Sequence, residues 1–204
     1  MAPGADALVT VMVDAFADDP LYVWLHPEAA TRRRNLRSTF ELMVGCGRVN
    51  GEVRVVGDRA EPLGAAIWTW PGQELLDDAG YDEFASLLRA AIGARADDAL
   101  DGMRALAQHA PEAPHAVLHN ICVHPGHRSA GLGRSLVQPL LAECDTNGVT
   151  VALESSNRRN LSFYRRLGFE VVAEVQVPGG GPTMLPMWRR PQADQPPGTT
   201  SPDS

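Results

Sequence analysis

The chain has 204 residues, 44% of them apolar, and a formal net charge of -7, which is enough to bury one sizeable core and favours one domain over two. The acidic balance argues against nucleic acid as the main partner and suits a cationic one. All 18 basic residues are arginine, so a Walker-type phosphate loop, which needs its lysine, is excluded.

In chain order, Leu8, Val9, Met12, Val13 and Phe16 recur at helical spacing and predict a helix over 6–17, closed by Asp18-Asp19-Pro20. A second helix is predicted over 29–44, with Arg32, Arg33, Arg34 and Arg37 read as a solvated face. Two antiparallel strands, 51–56 and 64–70, follow; Trp68 and Trp70 share one face of the second, as core or as walls of a substrate pocket. The region 71–114 reads as helical and is the most acidic part of the chain, either a solvated outer face or a lid that draws in an amine. A strand over 116–123, a glycine-bearing turn, a helix over 131–146 and a strand over 149–154 come next. A short helix over 160–167 and strands over 169–177 and 183–188 complete the pattern. The segment 191–204 has one alanine as its only apolar residue and is expected to be disordered. No apolar run approaches a membrane span and the first residues lack a basic leader, so a cytoplasmic protein is expected.

The turn after the 116–123 strand carries the pattern V-x-P-x-x-R-x-x-G-x-G, from Val123 through Gly133. Backbone N–H groups converging at a positive helix end there make an anion site suited to a pyrophosphate. A dinucleotide fingerprint would require a third glycine where Leu136 stands. Downstream comes Asn157-x-x-Asn160-x-x-Phe163-Tyr164-x-x-x-Gly168-Phe169. On these two motifs, in this order and with a strand between them, the chain resembles the GCN5-related N-acetyltransferases (GNAT). The segments AFADDP near the start, LESS before Asn157 and VPGGGP before the last strand are similar to those of the puromycin N-acetyltransferase group.

The resemblance implies an α/β fold: a central mixed, largely antiparallel twisted sheet, splayed between the strand of Val123 and that of Leu153 and flanked by helices. One domain would span 1–190, with 71–114 as a substrate-side insertion. Acetyl-coenzyme A is the implied cosubstrate, held along Ile121 and Val123 and by the backbone of Arg128, Ser129, Ala130, Gly131, Leu132, Gly133 and Arg134. Gly131 and Gly133 would omit Cβ atoms that block its approach. Val123 N–H would meet the thioester carbonyl and stabilise it as an oxyanion. Asn157 or Asn160 would bond the pantetheine arm, although Asn160 also reads as a helix cap. Tyr164 would protonate the departing thiolate.

Two residues compete as the base that deprotonates the amine, His119 and Glu154, and Glu154 also counts with Trp68 and Trp70 as a substrate contact. Alternation places His119 and Val123 on one strand face and Cys122 opposite. A histidine on that strand resembles serotonin N-acetyltransferase, another family member. Cys46, Cys122 and Cys144 form no pair and read as free thiols. His115, His124 and His127 lack ligand spacing, and no metal is expected. The family opens with a strand that has no counterpart here, so the sheet edge is either bare or covered, consistent with a monomer or homodimer. The reading is transfer of an acetyl group to a primary amine of a small molecule, with no nucleic acid or membrane partner. The alternatives are a protein N-terminal or lysine acetyltransferase and a non-catalytic acyl-coenzyme A sensor.

Overall fold

Helix α1 (Ala5–Phe16) turns the stripe of Leu8, Val9, Met12 and Val13 onto a sheet and keeps Asp6 and Asp14 outside. This computed structural model describes residues 5–58, 60–128 and 130–192, so Ser129 and the segment 193–204, all but the first two residues of the tail expected to be disordered, lie outside the described residues. Asp18-Asp19-Pro20 does end α1, but it also starts a helix. The Asp19 carboxylate accepts from Leu21 N–H (3.0 Å) and Pro20 supplies a preset first position, giving α2 (Pro20–Leu25).

Helix α3 (Ala29–Asn50) runs six residues past the expected end at Val44. A Cβ on Gly47 would sit 2.8 Å from Ile67 and 2.9 Å from Val53, so glycine there lets the helix lie against the sheet instead of ending it. The arginines of α3 are not a uniform solvated face. Arg33 pairs with Asp14 and Arg37 with Asp6 (2.6 Å), clamping α3 to α1. Arg32 is buried and donates to the carbonyls of His26, Ala17 and Pro27 at 2.6, 3.0 and 2.9 Å, fixing the bends around α2.

The strands are β1 (Glu52–Gly57), β2 (Pro62–Thr69), β3 (His115–Val123), β4 (Thr150–Ser155), β5 (Glu170–Val171), β6 (Val175–Gln176) and β7 (Thr183–Arg189). They form a sheet in the order β1-β2-β3-β4-β7-β5, with β6 also paired to β7. Every pairing is antiparallel except β3 with β4. Among the described residues no strand precedes α1, and β1 is an edge. The strand expected over 169–177 is split into β5 and β6. Three residues there oppose two on β7, next to Pro186, which has no N–H to give the ladder.

Between β2 and β3 lie α4 (Asp78–Ile92) and α5 (Arg95–Ala107); α6 (Leu132–Asn147) joins β3 to β4, and α7 (Leu161–Arg166) follows β4. Helices α6 and α7 cover one face of the sheet, where Trp68, Leu118, Leu136, Leu140, Leu153 and Phe169 are buried. Each such large side chain contributes roughly 2 kcal/mol by leaving water. The other face carries α1 and α3 over Ala65, Ile67 and Cys122, with α4 and α5 packed beyond them. Arg189 closes the far end through a two-pronged pair with Asp145 (2.7 Å each) and a bond to Leu167 O. No helix among the described residues is long and apolar enough to cross a membrane.

Candidate active site

Strands β3 and β4 are paired only from His115 with Thr150 to Val117 with Ala152, and beyond these they diverge. Past the last pair, residues of β3 line two cavities, one on each face of the sheet.

A bulge in β3 decides which residues face which cavity. Ile67 opposes Asn120 and Trp68 opposes Leu118, so His119 is an extra residue. Before it, Ala116 and Leu118 point to the α6 face; after it, Ile121 and Val123 do. Cys122 consequently lies on the α1 and α3 face, where His119 also points. The expected alternation is therefore corrected: His119 and Val123 are on opposite faces, and Cys122 shares the face of His119.

The cavity on the α6 face, about 540 Å³, is built by the glycine turn and the second motif. It is lined by Ile121 and Val123 from β3, by Arg128, and by Gly131, Leu132, Gly133 and Arg134 at the start of α6. Gly131 adopts φ +77, the left-handed conformation that turns the chain into the helix. A Cβ there would meet nothing within 4 Å, so the glycine serves backbone geometry; a Cβ on Gly133 would sit 3.4 Å from Phe163, across the cavity. No side chain among the described residues caps α6, which leaves its first N–H groups free for an anion. Ala130 does not line the cavity.

Across from the turn stand Asn160, Phe163 and Tyr164. The capping role expected of Asn160 belongs to Asn157, whose Oδ1 accepts from Arg159 N–H (3.0 Å). Asn160 makes no such bond and is the asparagine that faces the cavity. Arg159 and Arg166 line it too and escaped the sequence reading; their spacing with Asn160 and Phe163 on a helical face was the available signal. Tyr164 is buried between Phe163 and Phe169. Burial and the nearby Asp19 carboxylate raise its pKa, so the phenol is protonated at neutral pH. Asp19 itself is buried and accepts from Ser156 Oγ at 2.7 Å, tying the start of α2 to the chain after β4.

The backbone N–H of Val123 has no acceptor among the described residues. Successive N–H groups of a strand point to opposite sides, and His124 N–H donates to Leu63 O (2.7 Å) on the β2 side. The N–H of Val123 therefore points to the other side, where β4 has diverged.

The second cavity, about 500 Å³, lies between the sheet and the helices α2 to α5. Its far walls are Leu25, Phe84, Leu88, Ala99, Met103 and Leu106. At the gap stand Thr69, His119, Asn120 and Glu154, so both candidate bases share it. His119 Nε2 bonds Thr69 Oγ1 (2.9 Å), and burial lowers its pKa to about 4, leaving a neutral ring. Glu154 is the exposed residue at the end of β4 and also lines the cavity; crowding by the surrounding protein disfavours its charged form and raises its pKa to about 7.

Trp68 and Trp70 do not wall this cavity; Thr69, between them, does. Trp68 is buried in the core on the α6 face, and Trp70 packs on that face with its Nε1 donating to Glu52 (2.7 Å). The acidic region 71–114 both covers the cavity and presents its charge to solvent: Asp77 caps α4, and of its acids only Glu74 lines the cavity. Burial raises the Cys122 thiol to about 12, which removes it as a nucleophile. Cys46, Cys122 and Cys144 are free, and no group of three metal-ligating side chains occurs among the described residues.

Residues 59–169 match the Acetyltransferase (GNAT) family. An uncharacterised N-acetyltransferase of Schizosaccharomyces pombe is 30% identical over 176 residues, covering 78% of this chain and 67% of its own length. The L-amino acid N-acyltransferase MnaT of Escherichia coli is 37% identical over 68 residues, which are 32% of this chain and 40% of that enzyme. Among solved structures, the histone acetyltransferase HPA2 and related acetyltransferase from Corynebacterium glutamicum superposes with a TM-score of 0.69 at 25% identity, covering 96% of this chain and 95% of that one.

Proposed function

Because the chain belongs to the Acetyltransferase (GNAT) family, we propose that this acyltransferase moves an acetyl group from acetyl-coenzyme A to the primary amine of a small molecule by direct attack on the thioester. The observation that carries this is the pair of cavities on the two faces of β3 past its last pair with β4, with Glu154 and His119 in the lining of one and Val123 and Tyr164 in the lining of the other.

The α6-face cavity fits acetyl-coenzyme A. Its left-handed Gly131, uncapped helix start and the arginines Arg128, Arg134, Arg159 and Arg166 are a donor set for phosphates. The cosubstrate supplies an activated acetyl group when bound; Asn160 is the asparagine placed for its pantetheine arm. Val123 N–H is a donor for the carbonyl oxygen as it gains negative charge. Tyr164, held protonated, gives its proton to the leaving sulfur.

On the amine side the proton is taken by Glu154. An amine must lose a proton to attack, and a base with a pKa about 7 is matched to that task at neutral pH, whereas a histidine at about 4 accepts protons poorly. His119 then serves through its bond to Thr69, as a neutral wall of the gap. The cover of α4 and α5 over this cavity supports a small acceptor over a protein tail.

Release of coenzyme A on incubation with acetyl-coenzyme A and a panel of primary amines tests the reading. Tyr164→Phe is expected to lower kcat by about 10²-fold while acetyl-coenzyme A binding is retained. Equal turnover by the variant at saturating substrate removes Tyr164 from the mechanism, and binding without any release of thiol favours a sensor.

A further inference from the structure

Resting on the acetyltransferase reading, we infer that the acceptor is a monoamine on an apolar, carboxylate-free body, such as an aryl- or alkylamine, and not an α-amino acid or a polyamine. An α-amino acid brings a carboxylate within two bonds of the reacting nitrogen, so the gap would have to supply a cation or a set of N–H donors. Among the described residues no arginine lines the cavity, and the chain has no lysine. The nearby guanidinium groups are engaged behind the wall: Arg32 with three backbone carbonyls and Arg95 with Trp24 O (3.0 Å).

The two histidines in the lining do not replace them. His119 is bonded to Thr69, and His26, buried beside Arg32 and Arg95, is pushed toward its neutral form first by burial and then by those charges. Glu154 stands in the gap and repels a second carboxylate. Asn120 Oδ1, buried in the same wall, has no partner among the described residues and adds an acceptor where an N–H donor is to be received.

The body of the acceptor meets a different surface. Phe84, Leu88, Ala99 and Met103 accept an aromatic or branched apolar group. A polyamine would carry further ammonium groups against those apolar walls, which offer them no carboxylate. Glu74, the other carboxylate of the lining, is exposed in the loop between β2 and α4.

The experiment compares matched pairs on the full chain: phenethylamine with phenylalanine, tryptamine with tryptophan, each also against the amino acid amide, with spermidine alongside. Coenzyme A release gives kcat/KM, and thermal shift with acetyl-coenzyme A alone gives cosubstrate binding. The decarboxylated member is expected to exceed its amino acid on the order of 100-fold, with the uncharged amide regaining most of the loss. Amino acids within tenfold of their amines, or spermidine as the best acceptor, overturn the substrate class. So does acetyl-coenzyme A binding with turnover of none of the amines, while the acetyltransferase reading then stands on its own test. Failure to bind acetyl-coenzyme A overturns that reading, and the substrate class with it.

Discussion

Glu154 and His119 stand on either side of one gap, each two residues past the last β3–β4 pair, and apolar surroundings act on both by disfavouring charge. The carboxylate therefore binds its proton more tightly and the imidazole less tightly, and only the carboxylate titrates near neutrality. Activity is expected to fall as pH drops through about 7, where Glu154 becomes protonated, and Glu154→Gln should erase that limb with a loss of about 10²-fold or more in kcat. His119→Gln should keep the limb; a profile that follows His119 instead overturns the assignment. The same shift has a stability consequence. The native state holds the Glu154 proton up to about 7, while the unfolded chain releases it near 4.5, so the group's contribution to stability declines as pH rises across that window. Glu154→Gln should thus raise Tm over the parent protein at pH 8 and hardly at pH 4.5, and a gain equal at both values would show that proton linkage is not its source. Asp145 works in the opposite sense. Arg189 hydrogen bonds lower its pKa from 3.8, so its stabilisation is present above that value and is lost as pH falls through the folded pKa.

Most elements were legible because their apolar spacing is regular, and the failures share a cause: a local signal with two physical meanings. Asp19-Pro20 ends one helix by the same chemistry that begins the next. The helix expected to end at Val44 continues past Gly47, a contact residue set by Ile67 and Val53, which sequence spacing does not reveal. One bulge residue in β3 reversed the faces expected for His119 and Val123, because period two carries no record of an inserted residue. The glycine turn, by contrast, was legible because Gly131 is set by its own left-handed backbone, a local requirement. Gly131→Ala tests this at the level of the element. With φ at +77 and no neighbour within 4 Å, the substitution brings strain without a clash, about 1–2 kcal/mol of stability. It also re-aims the first N–H groups of α6. Acetyl-coenzyme A affinity measured by calorimetry is expected to fall about tenfold, with Gly131→Asn intermediate because asparagine tolerates that conformation. Unchanged affinity in a destabilised Gly131→Ala would separate the turn from phosphate binding.

At the scale of the molecule, the fold follows from two motifs and a strand between them, but the path of the reaction depends on how far β3 and β4 stay paired, which neither strand's sequence states. Their divergence after Val117 and Ala152 places the arginine-rimmed cavity on the α6 face and the apolar cavity under α4 and α5 on the other. On the proposed reading the two substrates enter from opposite faces and have no need to exclude each other. A covalent acyl-enzyme would need a nucleophile at the gap, and Cys122, a thiol at the gap end of β3, is buried and held at about 12. The kinetics are therefore expected to be sequential: double-reciprocal plots against either substrate should intersect, and coenzyme A should compete with acetyl-coenzyme A but not with the amine. Cys122→Ala should keep turnover within a few-fold, since it removes a small buried side chain that takes no part in the transfer. Parallel lines, with exchange of label between acetyl-coenzyme A and coenzyme A in the absence of amine, would require a covalent intermediate and contradict the two-sided arrangement.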